Sequence, residues 1–387
     1  MTDVRALTRE FLASAPPVDD PLAFLRARFD AGLAWVHYPA GLGGLGLPRE
    51  QQAIVDEELA GTPANDPRRI AIGLGMAAPT ILRHGTDEQR RRFLRPLWTG
   101  EEVWCQLFSE PGAGSDLAGL ATRAVRDGDG WRITGQKVWT SMAHLARWAI
   151  LLARTDPDLP KHQGLTYFVC DMTAPGVEVR PLRQLTGEAE FNEVFLTDVH
   201  LPDGLRLGAV GDGWAVARTT LMNERVSIGG TPLPREGGLI GVLAALWRDR
   251  PDVRTAAAHD EMLRLWVAAE AARLTGVRAR QQLAAGEPGP EGSAVKLAFA
   301  ELAQRITGLE LELRGADGLR HDDWTMRRGE VVDFEGRSPT YRWLRAKGTS
   351  IEGGTSEILR TIIAERVLGL PAEPRTDTTV PWRELPR

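Results

Sequence analysis

Four stretches of the sequence gather residues that can do chemistry. FSEPGAGSDLAGL, residues 108–120, sets Gly112, Ala113 and Gly114 beside a Ser115–Asp116 pair. Glycine lets a backbone approach a ligand closely, and consecutive N–H groups can cradle phosphate oxygens. A tight connecting loop is the commoner use of such a stretch. GQKVWTSMAH, residues 135–144, puts Trp139 next to the hydroxyls of Thr140 and Ser141. An indole beside hydrogen-bonding groups can lie against a flat ring system, and packing into a core is the ordinary alternative. In the third stretch, Glu224 falls at helical spacing with Trp214, Ala217, Leu221 and Ile228, just before Arg225. That spacing turns its carboxylate inward. Such burial costs on the order of several kcal/mol unless the group is paired or used. Glu224 is therefore a structural ion-pair partner, of Arg225 or another arginine, or a functional base. The fourth stretch, IEGGTSEIL at 351–359, joins Glu352, Gly353 and Gly354 to a helix start at Thr355 or Ser356.

The elements that must carry these residues come in three blocks. Residues 1–102 read as helices joined by short turns, including DPLAFLRARFDAGLAW, REQQAIVDEELA and DEQRRRFLRPLWTG, the last with Thr86 or Asp87 as N-cap and Gly100 past its end. From 103 to 208 the segments shorten to four to eight residues bounded by turn residues, such as WAILLARTD, LTYFVCDM and EVFLTDVHLP, which predicts a β domain. Helical spacing returns over 209–387, with long amphipathic segments at 253–283 and 293–313 separated by the breaker stretch AAGEPGPEGS, and a last helix ending near Gly369. The fold class is α+β, ordered helical, β, helical.

Composition narrows the function class. The chain has 387 residues, 43% of them apolar and 26% charged, which is ordinary for a globular protein with a substantial core. A net charge of -5 argues against a nucleic-acid binder. Two cysteines, Cys105 and Cys170, suggest neither a disulfide framework nor a zinc site. The first residues carry charges and lack an apolar core, and no uncharged run reaches membrane-spanning length. A soluble, cytoplasmic protein is expected.

Taken together, the motifs resemble those of the acyl-CoA dehydrogenase family over nearly the whole chain. The segments that carry the resemblance are PAGLGGLGL (40–48), HGTDEQRRRFL (84–94), CQLFSEPGAGSD (105–116), GWRITGQKVWTS (130–141), FNEVFLTDVHLP (191–202), GDGW (211–214) and IEGGTSEILRTIIAERVLG (351–369). The resemblance implies an N-terminal helical domain, a middle β-barrel-like domain and a C-terminal helical bundle. It implies FAD held between the last two, and a CoA thioester as substrate. Carried over residue by residue, Gln106, Phe108 and Ser109 are implied neighbours of the isoalloxazine. Gly114 and Ser115 fall where the family meets the pyrophosphate and the CoA arm. Trp139 and Ser141 match its flavin-side Trp and hydroxyl residue, and Thr355 and Glu357 match positions that touch FAD. Arg225 and Gly354 join Ser115 as implied substrate contacts. An electron-transfer flavoprotein or similar acceptor, and a homodimer or homotetramer, complete the implied partners.

The chain departs from the family pattern twice. An Arg-x-Phe-Gly-type segment, which reaches the FAD of a neighbouring subunit, is missing between Gly230 and Leu283. The loop glutamate that often serves as base is Gly353. The reaction needs a carboxylate in a dry site to take the α-proton while hydride leaves the β-carbon. Glu352 is adjacent but belongs to a different backbone position. Some members, isovaleryl-CoA dehydrogenase among them, place the base on the earlier helix immediately before an arginine, and Glu224–Arg225 matches that arrangement. The resemblance leaves two other readings open. One is a half-site partner subunit of a heteromeric acyl-CoA dehydrogenase, and the other is an oxidase- or desulfinase-like relative.

Overall fold

The computed structural model describes residues 3–16, 18–66, 68–228, 233–284, 289–321, 323–329, 336–375 and 377–386, without the side chains of 225–228 and 283–284. It divides into two compact units. The first holds residues up to Arg180, Asn192–Thr220 and the tail from Asp377; the second holds Pro181–Phe191 and Leu221–Thr376.

The first unit begins with five helices: α1 Val4–Ser14, α2 Pro21–Asp30, α3 Gln52–Glu58, α4 Ala78–His84 and α5 Asp87–Trp98. Asp3 caps α1 by accepting from the N–H groups of Arg5 and Ala6. Thr86 and Gln89 close a reciprocal capping box on α5, and Gly100 follows it at φ 76°. Phe24, Leu33, Val36, Val55 and Leu59 form the core beneath these helices. Gln89 also donates to the carbonyls of Gly204 and Arg206, at 2.8 and 2.9 Å, tying α5 to the end of the sheet.

The sheet has eight strands: β1 Trp104–Leu107, β2 Arg123–Asp127, β3 Gly130–Ser141, β4 Trp148–Arg154, β5 Leu165–Asp171, β6 Val177–Pro181, β7 Phe191–Pro202 and β8 Arg206–Leu207. Their order is β6-β7-β3-β2-β4-β5-β8, with β1 pairing β4 in parallel. The expected Gly-Asp-Gly turn joins β2 to β3 as an antiparallel hairpin, with Gly128 at φ 57°. Strand β4 is buried at every position, as its unbroken apolar run requires.

Lys137 sits at the centre of this unit. It shares the inward parity of Trp131 and Ile133 on β3 and is fully buried. Its ammonium donates at 2.9 Å to the carbonyls of Phe108 and Leu152 and to the carboxylate of Glu110. Burial opposes the lysine's charge and lowers its pKa. Burial works against Glu110 too, but Lys137 and the N–H groups of Ala121 and Thr122 outweigh it and hold that carboxyl below its ordinary value.

The second unit is helical. α7 Leu239–Asp249, α8 Ala256–Ala284 and α9 Gly292–Arg314 pack around Leu243, Leu265, Ile306, Leu309 and Leu313. Residues 285–288 of the breaker stretch expected between α8 and α9 lie outside the described residues. α10 Pro339–Ala346 is joined to α9 by the buried Arg342–Glu310 pair, and the 181–191 excursion meets it where Tyr341 donates to Glu188 at 2.8 Å. α11 runs from Ser356 to Ile362 and continues as a π turn to Val367 before Gly369 at φ 67°. Helix α6, Gly213–Ile228, passes from the first unit into the second after Thr220. No helix among the described residues is long and apolar enough to cross a membrane.

Lys137→Met leaves Glu110 charged and buried, and breaking such a pair costs about 3–5 kcal/mol. Urea unfolding should show that loss, and Lys137→Met combined with Glu110→Gln should recover part of it. A loss below about 1 kcal/mol for the single variant would deny the pair its central role.

Candidate active site

The glycine-rich loop is built outward from Lys137. Gln106 is the half-buried position of β1, and its Oε1 is buried without a protein partner. Phe108 is buried edge-to-face on Tyr167, with centroids 5.7 Å apart. The half-buried Ser109 accepts from the Val138 N–H at 2.9 Å, which joins the loop to β3. Glu110 and Ala113 exchange backbone hydrogen bonds at 3.0 and 3.1 Å and pinch the loop into a turn. Beyond the pinch, Gly112, Gly114, Ser115 and Asp116 are exposed. A Cβ on Gly112 or Gly114 would meet nothing within 4 Å, so the chain's own packing does not demand glycine at either position. The Lys161 ammonium holds Asp116 at 2.8 Å and also pairs with Asp377 of the tail.

Trp139 is 57% exposed, so core packing does not describe it. It also carries φ 60°, as does Met142 three residues on. Left-handed backbone costs an L-residue roughly 1–2 kcal/mol, and such strain collects at functional sites. Between them, Thr140 is buried with no partner for its Oγ1, and Ser141 is half-buried. An exposed indole, a waiting amide acceptor and nearby hydroxyls are the groups a flat, hydrogen-bonding ring would use. The open glycine loop beside them has room for a diphosphate. These residues fit FAD.

The second unit carries the other candidates. Gly353 and Gly354 both adopt left-handed backbone, at φ 63° and 94°. Thr355 caps α11 by accepting from the Ile358 N–H at 3.2 Å, and Glu357 is exposed in the first turn. The turn is clamped from α9, where Lys296, fully buried, donates to the Gly354 carbonyl at 2.7 Å. Burial lowers the pKa of Lys296, opposed first by Glu352 and then by Glu224. Glu352 is not idle: both its oxygens accept from the Arg345 fork at 3.0 Å. Arg345 also lies 3.3 Å from Glu190, whose pKa is raised by burial and, against the pull of Arg345, by Glu352 and Glu188. Burial works against the charge on Arg345, yet Glu352 and Glu190 outweigh it and hold the guanidinium ionised.

Glu224 is half-buried on α6, and its stripe is only partly inward: Ala217 is buried while Trp214 and Leu221 are half-buried. The side chains of Arg225 and Ile228 lie outside the described residues. The structure thus gathers Gln106, Phe108, Ser109, Trp139 and Ser141 around one edge of the sheet. In the second unit Lys296 donates to the Gly354 carbonyl, and the charges of Glu352 and Glu224 oppose the fall in its pKa. Sequence reading did not single out Lys137, Lys296 or Arg345. For Lys137 the signal was its parity with Trp131 and Ile133, and for Lys296 its place inside the apolar run AVKLAFA.

Profiles of three domain families match: "Acyl-CoA dehydrogenase, N-terminal domain" over residues 4–101, "middle domain" over 105–199 and "C-terminal domain" over 211–368. The chain is 47% identical to acyl-CoA dehydrogenase FadE34 of Mycobacterium tuberculosis over 88% of its own length, but it spans only 45% of that relative. It is 41% identical to acyl-CoA dehydrogenase IpdE1 of the same organism, covering 89% of this chain and 86% of that one. Among solved structures, the Tcur3481–Tcur3483 steroid ACAD superposes with a TM-score of 0.73 at 25% identity, covering 96% of this chain and 97% of that one. The M. tuberculosis ChsE4–ChsE5 complex gives 0.71 at 27%, covering 96% and 99%.

Alanine at Gly353 or Gly354 should cost about 1–2 kcal/mol through backbone strain alone. At Gly354 a Cβ meets only Leu359, no closer than 3.4 Å, so contact adds little. Gly276 of α8, where a Cβ meets nothing within 4 Å, is the control; alanine there should stabilise by about 0.5–1 kcal/mol. Urea denaturation of the three variants decides, and equal behaviour at all three positions would mean that the turn is not held left-handed.

Proposed function

The chain belongs to the acyl-CoA dehydrogenase family, and on that premise we propose that it carries out FAD-dependent α,β-dehydrogenation of an acyl-CoA thioester with Glu224 as the base. The observation that carries the assignment is the occupation of its rival. Glu352 has both oxygens committed to Arg345, and the neighbouring position is a left-handed glycine with no side chain. The charge of Glu224 also opposes the fall in the pKa of Lys296, which donates to the Gly354 carbonyl.

In this reading Glu224 takes the α-proton of the thioester. FAD, when bound, supplies the acceptor for the β-hydride. Trp139, Thr140, Ser141 and Gln106 hold and orient its ring, and the loop through Gly114 and Ser115 meets its diphosphate and the CoA arm. Thr355 and Glu357 contribute from α11, Arg225 and Gly354 border the substrate, and Phe108 and Ser109 fix the loop from beneath. An electron-transfer flavoprotein is the proposed acceptor of the electrons. A glycine at 353 leaves room for a bulky acyl group, and the likeness to a protein described as a steroid ACAD supports a polycyclic one.

Glu224→Gln keeps the shape of the side chain and removes its basicity. The variant should retain FAD yet lose anaerobic flavin reduction by about two to four orders of magnitude, while Glu352→Gln loses far less. Rapid mixing with a panel of acyl-CoAs, from short branched chains to a steroid side-chain thioester, reads both. A Glu224→Gln protein that bleaches at the wild-type rate would return the base to the loop.

A second reading concerns assembly. The Arg-x-Phe-Gly segment is missing, and the similar ChsE4–ChsE5 structure is a complex of two differently named chains. We therefore propose that the inter-subunit part of the FAD site comes from a second, related chain. Expressed alone, this chain should bind FAD substoichiometrically, and co-expression with an acyl-CoA dehydrogenase homologue from the same genome should restore one FAD per site. Full FAD occupancy in a homo-oligomer, read by light scattering and absorbance, would favour self-assembly instead.

A further inference from the structure

We propose that Trp382 is a positioning residue of the glycine-rich loop: it closes over Arg154 and, together with that guanidinium, holds the loop's far end by three successive carbonyls, so that residues 112–116 stay presented to a nucleotide diphosphate. The proposal rests on the reading that this loop meets the diphosphate of FAD or of CoA.

The loop has two ends, and Glu110 with Lys137 holds the first. The second is the short helical turn Leu117–Gly119 and the residue after it. Carbonyls at the end of such a turn have no partner within it and need donors from elsewhere. Arg154 of β4 is buried and supplies two. Its Nε donates to the Leu120 carbonyl at 3.1 Å and its Nη2 to that of Ala118 at 2.6 Å. The carbonyl between them, of Gly119, accepts from the Trp382 indole at 3.0 Å. The same indole lies over the guanidinium, whose carbon is 4.4 Å from the ring centroid. An arginine donates at its edge and stacks at its face, so one ring completes both the row of carbonyls and the cover of the cation.

Trp382 is brought to this place by its neighbours in the tail. Its N–H donates to the Leu159 carbonyl at 3.0 Å, the Arg383 N–H donates to that of Pro157 at 3.1 Å, and Pro381 forms a β-bridge with Pro160. Arg383 also pairs with Asp158 at 2.7 Å. Earlier in the tail, Asp377 pairs with the buried Lys161, whose ammonium holds Asp116 of the loop at 2.8 Å. The tail therefore meets the loop twice, at Asp116 through Lys161 and at Gly119 directly. All of these residues belong to the first unit.

Gly112 and residues 114–116 are exposed, so their shape is set from the ends of the loop. A loop that must be ordered at the moment of binding gives up affinity. Loosening the second end thus weakens the contact with a diphosphate and spares contacts that a ligand makes elsewhere. That asymmetry separates positioning from general destabilisation.

The test uses the full chain in its FAD-loaded form, with CoA and pantetheine as probes, since pantetheine lacks the diphosphate. Trp382→Ala should weaken calorimetric binding of CoA, or quicken release of FAD on dilution, by about three- to tenfold and leave pantetheine binding unchanged. Loss in the CoA arm assigns the loop to the CoA diphosphate, and loss in the flavin arm assigns it to that of FAD. Trp382→Phe keeps a ring over Arg154 and removes the donor, so its loss should be smaller and in the same arm. Hydrogen exchange over residues 112–120 should quicken in both variants. Trp131→Phe removes an indole hydrogen bond to Asp203 in the same unit and is the control; it should move none of these readings.

If both Trp382 variants bind CoA and hold FAD as the wild type does, the proposal fails, and normal flavin reduction by acyl-CoA then leaves the functional reading standing. If CoA and pantetheine weaken equally, or if Trp131→Phe releases FAD as fast, the tail is a general brace and the proposal fails as well. If the wild type neither holds FAD nor prefers CoA to pantetheine, the reading of the loop falls, and this proposal with it. Should Trp382→Ala not fold, Trp382→Phe decides on the same readings.

Discussion

A buried ammonium cannot be left without acceptors, and the glycine-rich loop and β4 supply three of them to Lys137. The carbonyl of Phe108, the carbonyl of Leu152 and the carboxylate of Glu110 converge on one nitrogen at 2.9 Å. Glu110 in turn spends its oxygens on the N–H groups of Ala121 and Thr122. One ion pair thus fixes where the glycine-rich loop leaves β1 and where it rejoins the sheet. Between those ends Gly112 and residues 114–116 are exposed, while Ala113 is buried. The same strand that carries Lys137 carries Trp139 two residues on, which ties the position of the candidate ring-binding edge to the same interaction.

Such an arrangement replaces packing by hydrogen bonding at the places where packing would get in the way. A loop meant to admit a ligand cannot be filled with its own side chains, so its shape must come from its ends. Lys296 repeats the device in the second unit. It reaches a loop of two left-handed glycines from the neighbouring helix and grips the backbone carbonyl, because no side chain is there to be gripped. Both lysines are buried, and both give up part of their basicity to that burial.

Much of the framework was legible in the sequence because it is written in local chemistry. Thr86 with Gln89 is a capping box, Gly-Asp-Gly between alternating runs is a hairpin, and Gly369 ends a helical pattern. The candidate site was legible only as clusters. Trp139 could have been core until its exposure and backbone showed otherwise. Glu352 reads in the sequence only as the neighbour of Gly353, and its fork with Arg345 shows only in the structure. Nothing local announces those facts, since each depends on a partner supplied by another element. The same holds for the tail, where Asp377 pairs with Lys161 and Trp382 donates to the Gly119 carbonyl at 3.0 Å, more than 250 residues away. A division of the sequence by composition assigns that tail to the helical end of the chain. The contacts assign it to the unit that holds the glycine-rich loop.

The seat of α6, the helix that carries Glu224, has a cause of the same kind. Four residues before it on α6, Thr220 is buried and shares hydrogen bonds with Thr80 at 2.9 Å and with the Tyr167 hydroxyl at 2.8 Å. Residues four apart lie one turn along the same helical face. The hydroxyl chain from α4 through α6 to β5 therefore seats the part of α6 that belongs to the first unit. Tyr167 is also the ring on which Phe108 rests, at the start of the glycine-rich loop. One buried phenol thus stands between the anchor of the loop and the helix that carries the proposed base. A change at Tyr167 would disturb both, whereas a change at Thr220 that spared the phenol would disturb only the second. The first-unit part of α6 is thus held by polar contacts made one turn before Glu224.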